Sequence, residues 1–435
     1  MKRTPLTMMA AAAAACVLLG SARAQGKPLK VYILAGQSNM EGQAKVETFD
    51  YLGLDPTTKP LLAKMRGADG QPRVCDRTWI SYFTGPPGRY GEGHGRLTTG
   101  YGARGNPAAD GGKIGPEFLF GICAEESYDG PILLIKTAWG GKSLHTDFRP
   151  PSAGPYVLPK KTLDLFLKNP GGHGIPKDLE QWQAEKAAQT GVFYNLMIDH
   201  VKKVLADPGR VGPAYDPRQG FELAGFVWFQ GWNDMCDSHT YPDGDASPAG
   251  FAAYTELMAH FIRDVRRDLG APDLPFVIGT IGVNGDKATG RIANLRAAMA
   301  ATADLEEFRG NVAAVDTGRF WDHEMAAMER RLSDFNRLND SAHLITDDGR
   351  MEQRPKGTPD WQLIGTPAQH ERTWRYLTFD PQTEQDRMDD KRESKRFRAT
   401  ITLPAGLEGW YEPGYLPNGV RGGGTKEVEI GIAVT

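Results

Sequence analysis

The chain has 435 residues, of which 40% are apolar and 24% charged, so it is long enough to bury a large core. Its formal net charge of −3 gives no electrostatic reason to expect nucleic acid or a membrane surface as a partner. The 52 glycines and 30 prolines indicate long connecting loops around a scaffold.

Residues 1–24 have the pattern of a secretory signal peptide. Two basic residues precede an apolar run over 6–19, and the small-x-small tripeptide at 22–24 is typical of a cleavage site. We therefore expect the mature chain to begin near Gln25 and to be secreted or periplasmic. No later stretch is long and apolar enough to predict a membrane span.

The first apolar run after the signal peptide ends in a turn of small and polar residues that presents one serine, Ser38. Val31, Ile33 and Leu34 are typical of a parallel strand that is buried on both faces. Gly36 lets the backbone turn sharply after them. The pattern predicts a strand that delivers a nucleophile; the alternative is that Ser38 only caps a following helix.

The segment 43–115 shows little periodicity and many glycines. We predict a long loop over the carboxyl end of the first strand, where open α/β sheets bind ligands. Its aromatic residues are candidates for a sugar-stacking wall: Trp79, Tyr82, Phe83, Tyr90 and Tyr101. The alternative is a purely structural excursion.

Beyond this segment, helices and strands alternate. Apolar periodicity predicts helices over 116–126, 193–205, 254–269 and 291–301, and strands over 131–137, 223–230, 274–281 and 311–315. Together with the first strand, this alternation implies a parallel sheet with helices on both faces. Cys123, on the first of these helices, is predicted to be a small core residue.

Past residue 317 the pattern loosens. Residues 381–395 are predicted to be a charged, solvated linker. Two runs near the C-terminus alternate apolar and polar residues, which predicts two half-buried strands. Their apolar positions are Phe397, Ala399, Ile401 and Leu403 in one run, and Val428, Ile430, Ile432 and Val434 in the other.

Three motif blocks, each at the end of a predicted strand, resemble those of the SGNH hydrolases, specifically the sialate O-acetylesterase and acetylxylan esterase branch. They are residues 36–42, GQSNMEG; residues 136–144, KTAWGGKSL; and residues 228–234, WFQGWND. The resemblance covers most of 29–317. It implies a three-layer α/β/α sandwich with a flavodoxin-like parallel sheet, and a secreted serine esterase that removes O-acetyl groups from carbohydrates.

The resemblance also implies the roles of individual residues. Ser38 attacks the ester, and the oxyanion hole consists of the Ser38 N–H, a backbone N–H from the Gly140-Gly141 turn and the side-chain amide of Asn233. That amide donates without carrying a charge. The alternatives are a simple tight turn at the glycine pair and an Asx turn at Asn233. The expected supports of the pocket are Gln37, Gln230 and Asp234.

The base that takes the serine proton has several candidates. The family places an Asp-x-x-His pattern late in the sequence, and Asp340 with His343 fits it. This spacing lets Asp340 orient the His343 ring toward Ser38. His370 and His323 are alternative bases, and a further alternative is a chain that has no functional base.

The resulting expectation is an esterase domain over 25–380, the linker 381–395 and a short β-sandwich-like segment over 396–435. No metal or organic cofactor is expected, because the three cysteines after the signal peptide show no spacing for a structural zinc and there is no clear ligand cluster. The expected partner is an acetylated carbohydrate, with no nucleic acid and no membrane span. Two alternatives remain: an ordinary acyl esterase, and a carbohydrate-binding protein that kept the pocket but lost the base.

Overall fold

The computed structural model describes residues 26–53, 56–109, 111–171, 178–323 and 326–327, together with the backbone of six strands between 341 and 433. The predicted signal peptide, 1–24, lies outside the described residues. The chain divides into two compact units, Met1–Phe320 and Trp321–Thr435.

The described part of the first unit contains nine strands. Their bounds are β1 Leu29–Gly36, β2 Ala44–Lys45, β3 Thr78–Thr84, β4 Gly91–Arg96, β5 Lys113–Ile114, β6 Ile132–Ala138, β7 Phe221–Phe229, β8 Phe276–Thr280 and β9 Val312–Asp316. Seven of them form a central sheet in the order β4-β3-β6-β1-β7-β8-β9. The sheet is parallel except for β4, which pairs antiparallel with β3. Strands β2 and β5 form a separate antiparallel pair.

Ten α-helices connect these strands within the described residues. Their bounds are α1 Ser38–Glu41, α2 Phe49–Leu52, α3 Lys59–Met65, α4 Pro116–Ser127, α5 Lys160–Lys168, α6 Leu179–Gln189, α7 Val192–Ala206, α8 Trp232–Cys236, α9 Ala252–Asp268 and α10 Gly290–Ala301. The predicted helices over 116–126, 193–205, 254–269 and 291–301 correspond to α4, α7, α9 and α10, so these predictions are confirmed.

Helices cover both faces of the central sheet. Because successive side chains of a strand point to opposite faces, alternate residues of β1 enter different cores. Val31 and Ile33 pack in one core with residues of α7 and α9, whereas Leu34 packs in the other with residues of α4. All three side chains are fully buried. The structure therefore confirms the predicted three-layer α/β/α sandwich.

The order of the strands places a ligand crevice at β1. After β1, the chain forms β3 and β6 on one side of β1 and then β7, β8 and β9 on its other side. The core order β6-β1-β7-β8-β9 is flavodoxin-like, and the connections change direction beside β1. Open α/β sheets bind ligands at such a switch point, outside the carboxyl ends of the strands.

The prediction of a long loop over 43–115 is wrong. This segment contains α2, α3 and the strands β3 and β4, and β3 joins the central sheet beside β6. The run Thr78–Thr84 is rich in aromatic and β-branched residues, as strands are. The parallel partner of β3, β6, lies about fifty residues later in the chain, and its antiparallel partner, β4, is the glycine-rich run GEGHGR, which shows no apolar alternation.

The prediction that Cys123 is a core residue is also wrong, because its side chain is exposed. The buried residues of α4 follow the helical period: Glu117, Phe118, Gly121, Ile122 and Glu125. Cys123 lies off this face. Two of the buried residues are glutamates, so the apolar pattern of the sequence does not identify the buried face.

The second unit contains a six-stranded sheet in the order β12-β11-β10-β15-β14-β13. Its strands are β10 Ser341–Ile345, β11 Met351–Pro355, β12 Gln362–Gly365, β13 Thr378–Asp389, β14 Arg392–Thr402 and β15 Thr425–Ala433. The two predicted C-terminal strands are β14 and β15. They pair antiparallel, with Phe397 opposite Ile430 and Ala399 opposite Val428.

The division between the units differs from the predicted domain boundary at 380. Residues of the predicted linker, 381–395, belong to β13 and β14, which pair antiparallel with each other. Their charged side chains hide the strand pattern, because no apolar alternation marks β13.

Replacing Gly42 by alanine is expected to lower the free energy of unfolding by about 3 kcal/mol or more. Gly42 ends α1 with φ of +88°, and an added Cβ would lie 2.2 Å from the Gly115 Cα. Gly70 is the matched control, because it has φ of +75° and nothing within 4 Å of an added Cβ. We expect Gly70→Ala to cost only about 1 kcal/mol of backbone strain. Urea unfolding of both variants measures the difference, and equal losses would contradict the steric argument.

Candidate active site

Three turns that follow neighbouring strands meet at one edge of the central sheet. In the strand register, Gly36 of β1 lies opposite Ala138 of β6 and Phe229 of β7, so the turns begin at the same level. The Gln37 N–H donates to the Phe229 carbonyl at 3.3 Å, and the Trp139 N–H donates to the Gly36 carbonyl at 3.2 Å. These turns carry the three sequence motifs, which the fold thus brings together.

Ser38 is the first residue of α1 and is half-buried. The turn before it depends on Gly36, where an added Cβ would lie 2.2 Å from the Phe229 carbonyl oxygen. Any other residue at this position would push β7 away from β1. Glycine is therefore required here by close backbone packing, and not only for the sharp turn that the sequence predicts.

The side chain of Gln37 links the first turn to the third. It is fully buried. Its Oε1 accepts hydrogen bonds from the backbone N–H of Gly231 at 3.1 Å, from that of Asn233 at 3.2 Å, and from Gln230 Nε2 at 3.2 Å. Its Nε2 donates to Asn233 Oδ1 at 2.9 Å and lies 3.5 Å from Ser38 Oγ.

These contacts fix the orientation of the Asn233 amide. A backbone N–H can only donate, so the Gln37 atom that faces two of them must be its oxygen. The NH₂ of Gln37 then faces Asn233, which must accept with its own oxygen. The NH₂ of Asn233 is therefore directed away from Gln37. A donor oriented in advance is what stabilisation of a developing oxyanion requires.

Gln230 and Asp234 tie the third turn to the second. Gln230 Nε2 donates to the Lys142 carbonyl at 3.0 Å and to Asp234 Oδ2 at 2.5 Å. The fully buried Asp234 accepts from the backbone N–H of Leu144 at 2.8 Å and of His145 at 3.1 Å. Because both carboxylate oxygens of Asp234 are engaged within the protein, the geometry favours a supporting role over contact with sugar hydroxyls.

A pocket of about 320 Å³ is lined in part by residues that neighbour Ser38. Glu41 and Gly140 both line it. A Cβ placed on Gly140 would lie 3.2 Å from Glu41 Oε2 and 3.9 Å from Ser38 Cβ. Gly141 follows with a left-handed φ of 72°. The glycine pair thus forms a tight turn directly beside the serine.

Aromatic rings form one side of this pocket. Phe193 lies 5.1 Å from Trp139 and 5.9 Å from Tyr90, measured between ring centroids, and all three line the pocket. Among the predicted sugar-stacking residues, Tyr90 is therefore placed at the pocket. Trp79 and Tyr82 are buried in the core of the sheet, so that prediction is wrong for these two.

The pocket contains charged groups of both signs. Lys142 Nζ lies 3.3 Å from Asp147 Oδ1 and 4.3 Å from the centre of the Phe193 ring. Burial raises the pKa of the Glu41 carboxyl, although the nearby Lys136 ammonium and a hydrogen bond from the Gly140 backbone favour its charged form. Glu41 therefore takes up a proton more readily than an exposed glutamate.

The candidate bases come from the C-terminal part of the chain. Asp340 and His370 lie outside the described residues. The backbone of His343 lies in β10, in register with Gln353 of β11 and Ile432 of β15. His323 lies just after the division between the two units. The pairing of any of these histidines with Ser38 stays a prediction.

A histidine that the sequence reasoning missed lies in the second turn. His145 is buried, and its Nε2 lies 3.0 Å from Asp237 Oδ2. Burial raises the pKa of the Asp237 carboxyl, but the hydrogen bond and charge of His145 outweigh this effect and hold that pKa well below its usual range. His145 Nδ1 contacts Thr146 Oγ1 at 2.7 Å. Both ring nitrogens are thus engaged, which favours a structural tie between the second and third turns. In the sequence, the one signal for the pair of His145 and Asp237 is that each residue lies close to a motif block, His145 to the second and Asp237 to the third.

A serine and a histidine are in contact in the core. Ser81 Oγ is 2.8 Å from His200 Nε2 and donates to Glu92 Oε1 at 2.6 Å. These residue types match a catalytic triad, but Ser81 is fully buried in β3 and cannot meet a substrate. The arrangement therefore satisfies buried polar groups.

His200 is expected to make stability depend on pH. Burial lowers its pKa from 6.5 to about 4, although Glu92 opposes this and Lys203 and Arg210 add to it. Between these two pKa values the unfolded chain binds a proton that the folded chain does not. The free energy of unfolding should therefore fall as pH decreases from 6.5 to about 4. The loss is up to about 3 kcal/mol. Urea unfolding at several pH values measures it, and we expect a flatter dependence in His200→Gln. An unchanged slope in that variant would contradict the assignment.

Within the described ranges, no group of three or more His, Cys, Asp or Glu side chains is arranged to hold a metal ion. Among the helices of the same ranges, none is long and apolar enough to cross a membrane.

Comparisons with known proteins identify relatives of this chain. A family model for carbohydrate esterases, sialic acid-specific acetylesterases, matches residues 103–346, which is more than half of the chain. No curated protein gives a significant match.

The solved structures to which this chain is similar include the following three. A protein from Arabidopsis thaliana is 18% identical, with a TM-score of 0.33, and the match covers 66% of this chain and 85% of that one. XAC1771, a novel carbohydrate acetylesterase from Xanthomonas citri, is 16% identical, with a TM-score of 0.35, and the match covers 85% of this chain and 69% of that one. NanS is 15% identical, with a TM-score of 0.34, and the match covers 68% of this chain and 79% of that one. The match to the family model therefore carries the assignment.

Proposed function

The chain belongs to the carbohydrate esterase family of sialic acid-specific acetylesterases, and from this premise we propose that it is a secreted serine esterase that removes O-acetyl groups from carbohydrates. Membership makes it a carboxylic ester hydrolase that acts on carbohydrate acetyl esters. The serine mechanism and the secretion, which rests on the predicted signal peptide at 1–24, belong to the proposal.

The observation that carries the mechanism is the arrangement of three turns around Ser38. Gly140 adjoins Ser38, and Asn233 is held by Gln37 with its NH₂ directed away from that residue. Hydrolysis of an ester needs a nucleophile and donors placed where negative charge develops. Ser38, a backbone N–H of the Gly140-Gly141 turn and the Asn233 amide are the groups that the proposal uses for these tasks.

The reaction would proceed through an acyl-enzyme. Ser38 Oγ attacks the acetyl carbonyl carbon while its proton passes to His343, which Asp340 orients. The tetrahedral intermediate expels the sugar oxygen, which takes the proton from His343 and leaves as a hydroxyl group. Water then attacks the acetyl-Ser38 ester with His343 as base, and acetate and Ser38 are released.

The extent of the family match favours His343 over His370 as the base. The matched residues, 103–346, include Asp340 and His343 but not His370. The match begins after the Ser38 turn, so it bears on the base and not on the nucleophile. His323 also lies within the match, but no Asp-x-x-His pattern accompanies it. We therefore assign the base to His343 in this proposal.

The function is tested by measuring acetate release from O-acetylated sialic acid, acetylated xylan and p-nitrophenyl acetate by the mature chain. We expect turnover by the wild type and a loss of about 10³-fold or more in His343→Ala. His370→Ala and His323→Ala are the matched controls and should keep wild-type turnover. Loss of activity in one of these controls, with activity kept in His343→Ala, would move the base to that residue.

A folded wild-type protein that releases no acetate, and whose serine is not labelled by a fluorophosphonate, would contradict the esterase mechanism. Binding of acetylated sugars by that inactive protein would instead support the carbohydrate-binding alternative. Hydrolysis of p-nitrophenyl acetate without release of acetate from any sugar would support an ordinary acyl esterase.

A further inference from the structure

A buried ion pair lies directly behind the Ser38 turn. Lys136 is in β6, Glu117 is in α4, and both side chains are fully buried. Lys136 Nζ lies 2.6 Å from Glu117 Oε2. The other Glu117 oxygen, Oε1, accepts from the Gly115 backbone N–H at 2.8 Å. Neither residue has a place in the reaction proposed above.

The Lys136 ammonium uses all three of its donors. Besides Glu117, it donates to the Glu41 backbone carbonyl at 2.8 Å and to the Tyr101 carbonyl at 2.7 Å. Glu41 is the last residue of α1, the four-residue helix that begins with Ser38. Because the last carbonyls of a helix have no partner within it, the ammonium holds the carboxyl end of this helix.

The same strand carries the second turn of the site. Two residues after Lys136, β6 ends at Ala138, and Gly140 follows. Lys136 is therefore attached covalently to the Gly140 turn and by a hydrogen bond to the end of the Ser38 helix. Its position sets the distance between the nucleophile and the turn that is expected to supply an oxyanion donor.

A contribution to stability does not explain this pair. Removing two charges from water is costly, and well-packed apolar residues of similar volume are often as stable or more so. An apolar pair would not, however, form three directed hydrogen bonds to fixed points of the backbone. The feature that distinguishes the pair is thus its geometry.

We propose that Lys136, held by Glu117, is a positioning residue that fixes the Ser38 helix relative to the Gly140 turn. This inference rests on the proposed function of Ser38. Misplacement of a reacting group by about 1 Å can lower a rate by about 10²-fold. Loss of the anchor should therefore lower kcat by more than it changes KM, because among the described residues that line the pocket Glu41 alone belongs to the anchored helix.

The test uses the double variant Lys136→Met with Glu117→Gln, which removes both charges of the pair together, so that neither member is left as a buried ion without the other. We expect kcat for p-nitrophenyl acetate, and the rate of fluorophosphonate labelling of Ser38, to fall by about 10- to 100-fold. Backbone amides of residues 36–42 should exchange hydrogen faster than in the wild type, as measured by mass spectrometry.

The matched control is Glu125→Gln, on the same helix. Glu125 is also buried, but it accepts from the Asp76 N–H at 3.1 Å and from Thr78 Oγ1 at 2.8 Å, at the amino end of β3. Its replacement should lower the melting temperature and leave kcat and the exchange of 36–42 unchanged. A loss of kcat in this control equal to that of the double variant would show a general effect of destabilisation and overturn the proposal.

A folded double variant with wild-type kcat and wild-type exchange at 36–42 would also overturn the proposal. If the wild type itself neither hydrolyses esters nor reacts with fluorophosphonate, the function proposed for Ser38 fails. In that case the exchange of residues 36–42 alone decides whether Lys136 anchors the turn: faster exchange in the double variant supports the anchor, and equal exchange rejects it.

Discussion

Replacing Ser38 by alanine is expected to lower kcat for acetyl ester hydrolysis by about 10⁴-fold or more. Without the hydroxyl no acyl-enzyme can form, and only the oxyanion donors and binding would remain to accelerate the attack of water. The fold should tolerate the change, because Ser38 Oγ meets Gln37 Nε2 only at the limiting distance of 3.5 Å. Release of acetate and a fluorophosphonate label on Ser38 measure the effect.

Ser81→Ala is the matched control for this prediction. Ser81 is the serine of the core that contacts His200 and Glu92. Its replacement leaves buried polar groups without a partner and should lower stability, but it should keep kcat at the wild-type value. Activity that survives in Ser38→Ala and is lost in a folded Ser81→Ala would show that the nucleophile is misassigned.

Replacing Asn233 by aspartate is expected to lower kcat by about 10²- to 10³-fold. The two side chains have the same shape, and Gln37 Nε2 can still donate to the carboxylate, so the turn should be retained. The carboxylate has no N–H to offer, however, and its negative charge opposes that of the oxyanion. The kinetics of p-nitrophenyl acetate hydrolysis measure the loss.

Gln37→Glu should produce a loss of kcat of similar size through its effect on Asn233. Glutamate cannot donate to Asn233 Oδ1, so the Asn233 amide would rotate and present its NH₂ to the new carboxylate.

The matched control for Asn233→Asp is Asn294→Asp in α10, where the side chain donates to the Gly244 carbonyl at 2.9 Å. This variant should lose some stability and no turnover. Near wild-type kcat in Asn233→Asp would remove Asn233 from the oxyanion hole.

The elements that local patterns specify were correctly predicted. The strand before Ser38, the strand before the glycine pair and the strand before Asn233 each show a run of apolar residues followed by a turn signal, and each is a strand of the central sheet. Their meeting at one edge follows from parallel pairing, because the carboxyl ends of parallel strands share an edge. The resemblance of the motif blocks is likewise local, and the family match, which includes the second and third blocks but begins after the first, agrees with it.

Contacts between distant segments could not be derived in the same way. The strand β3 was predicted as loop because one partner, β6, lies far along the chain and the other, β4, is a glycine-rich run without apolar alternation. The role of Gln37 follows from backbone donors on another turn, and no pattern within its own motif predicts them. The match to the family model includes Asp340 and His343, yet their pairing with Ser38 stays a prediction.

The sequence by itself determined the fold class, the position of the Ser38 turn and the family, because apolar periodicity and short motifs are properties of consecutive residues. The tertiary structure alone decided which polar groups are buried together. Lys136 interrupts an apolar strand, and Glu117 and Glu125 lie on the buried face of α4. A buried charge is stable only with a partner, and for Lys136 and Glu117 that partner is supplied by a different element of the fold.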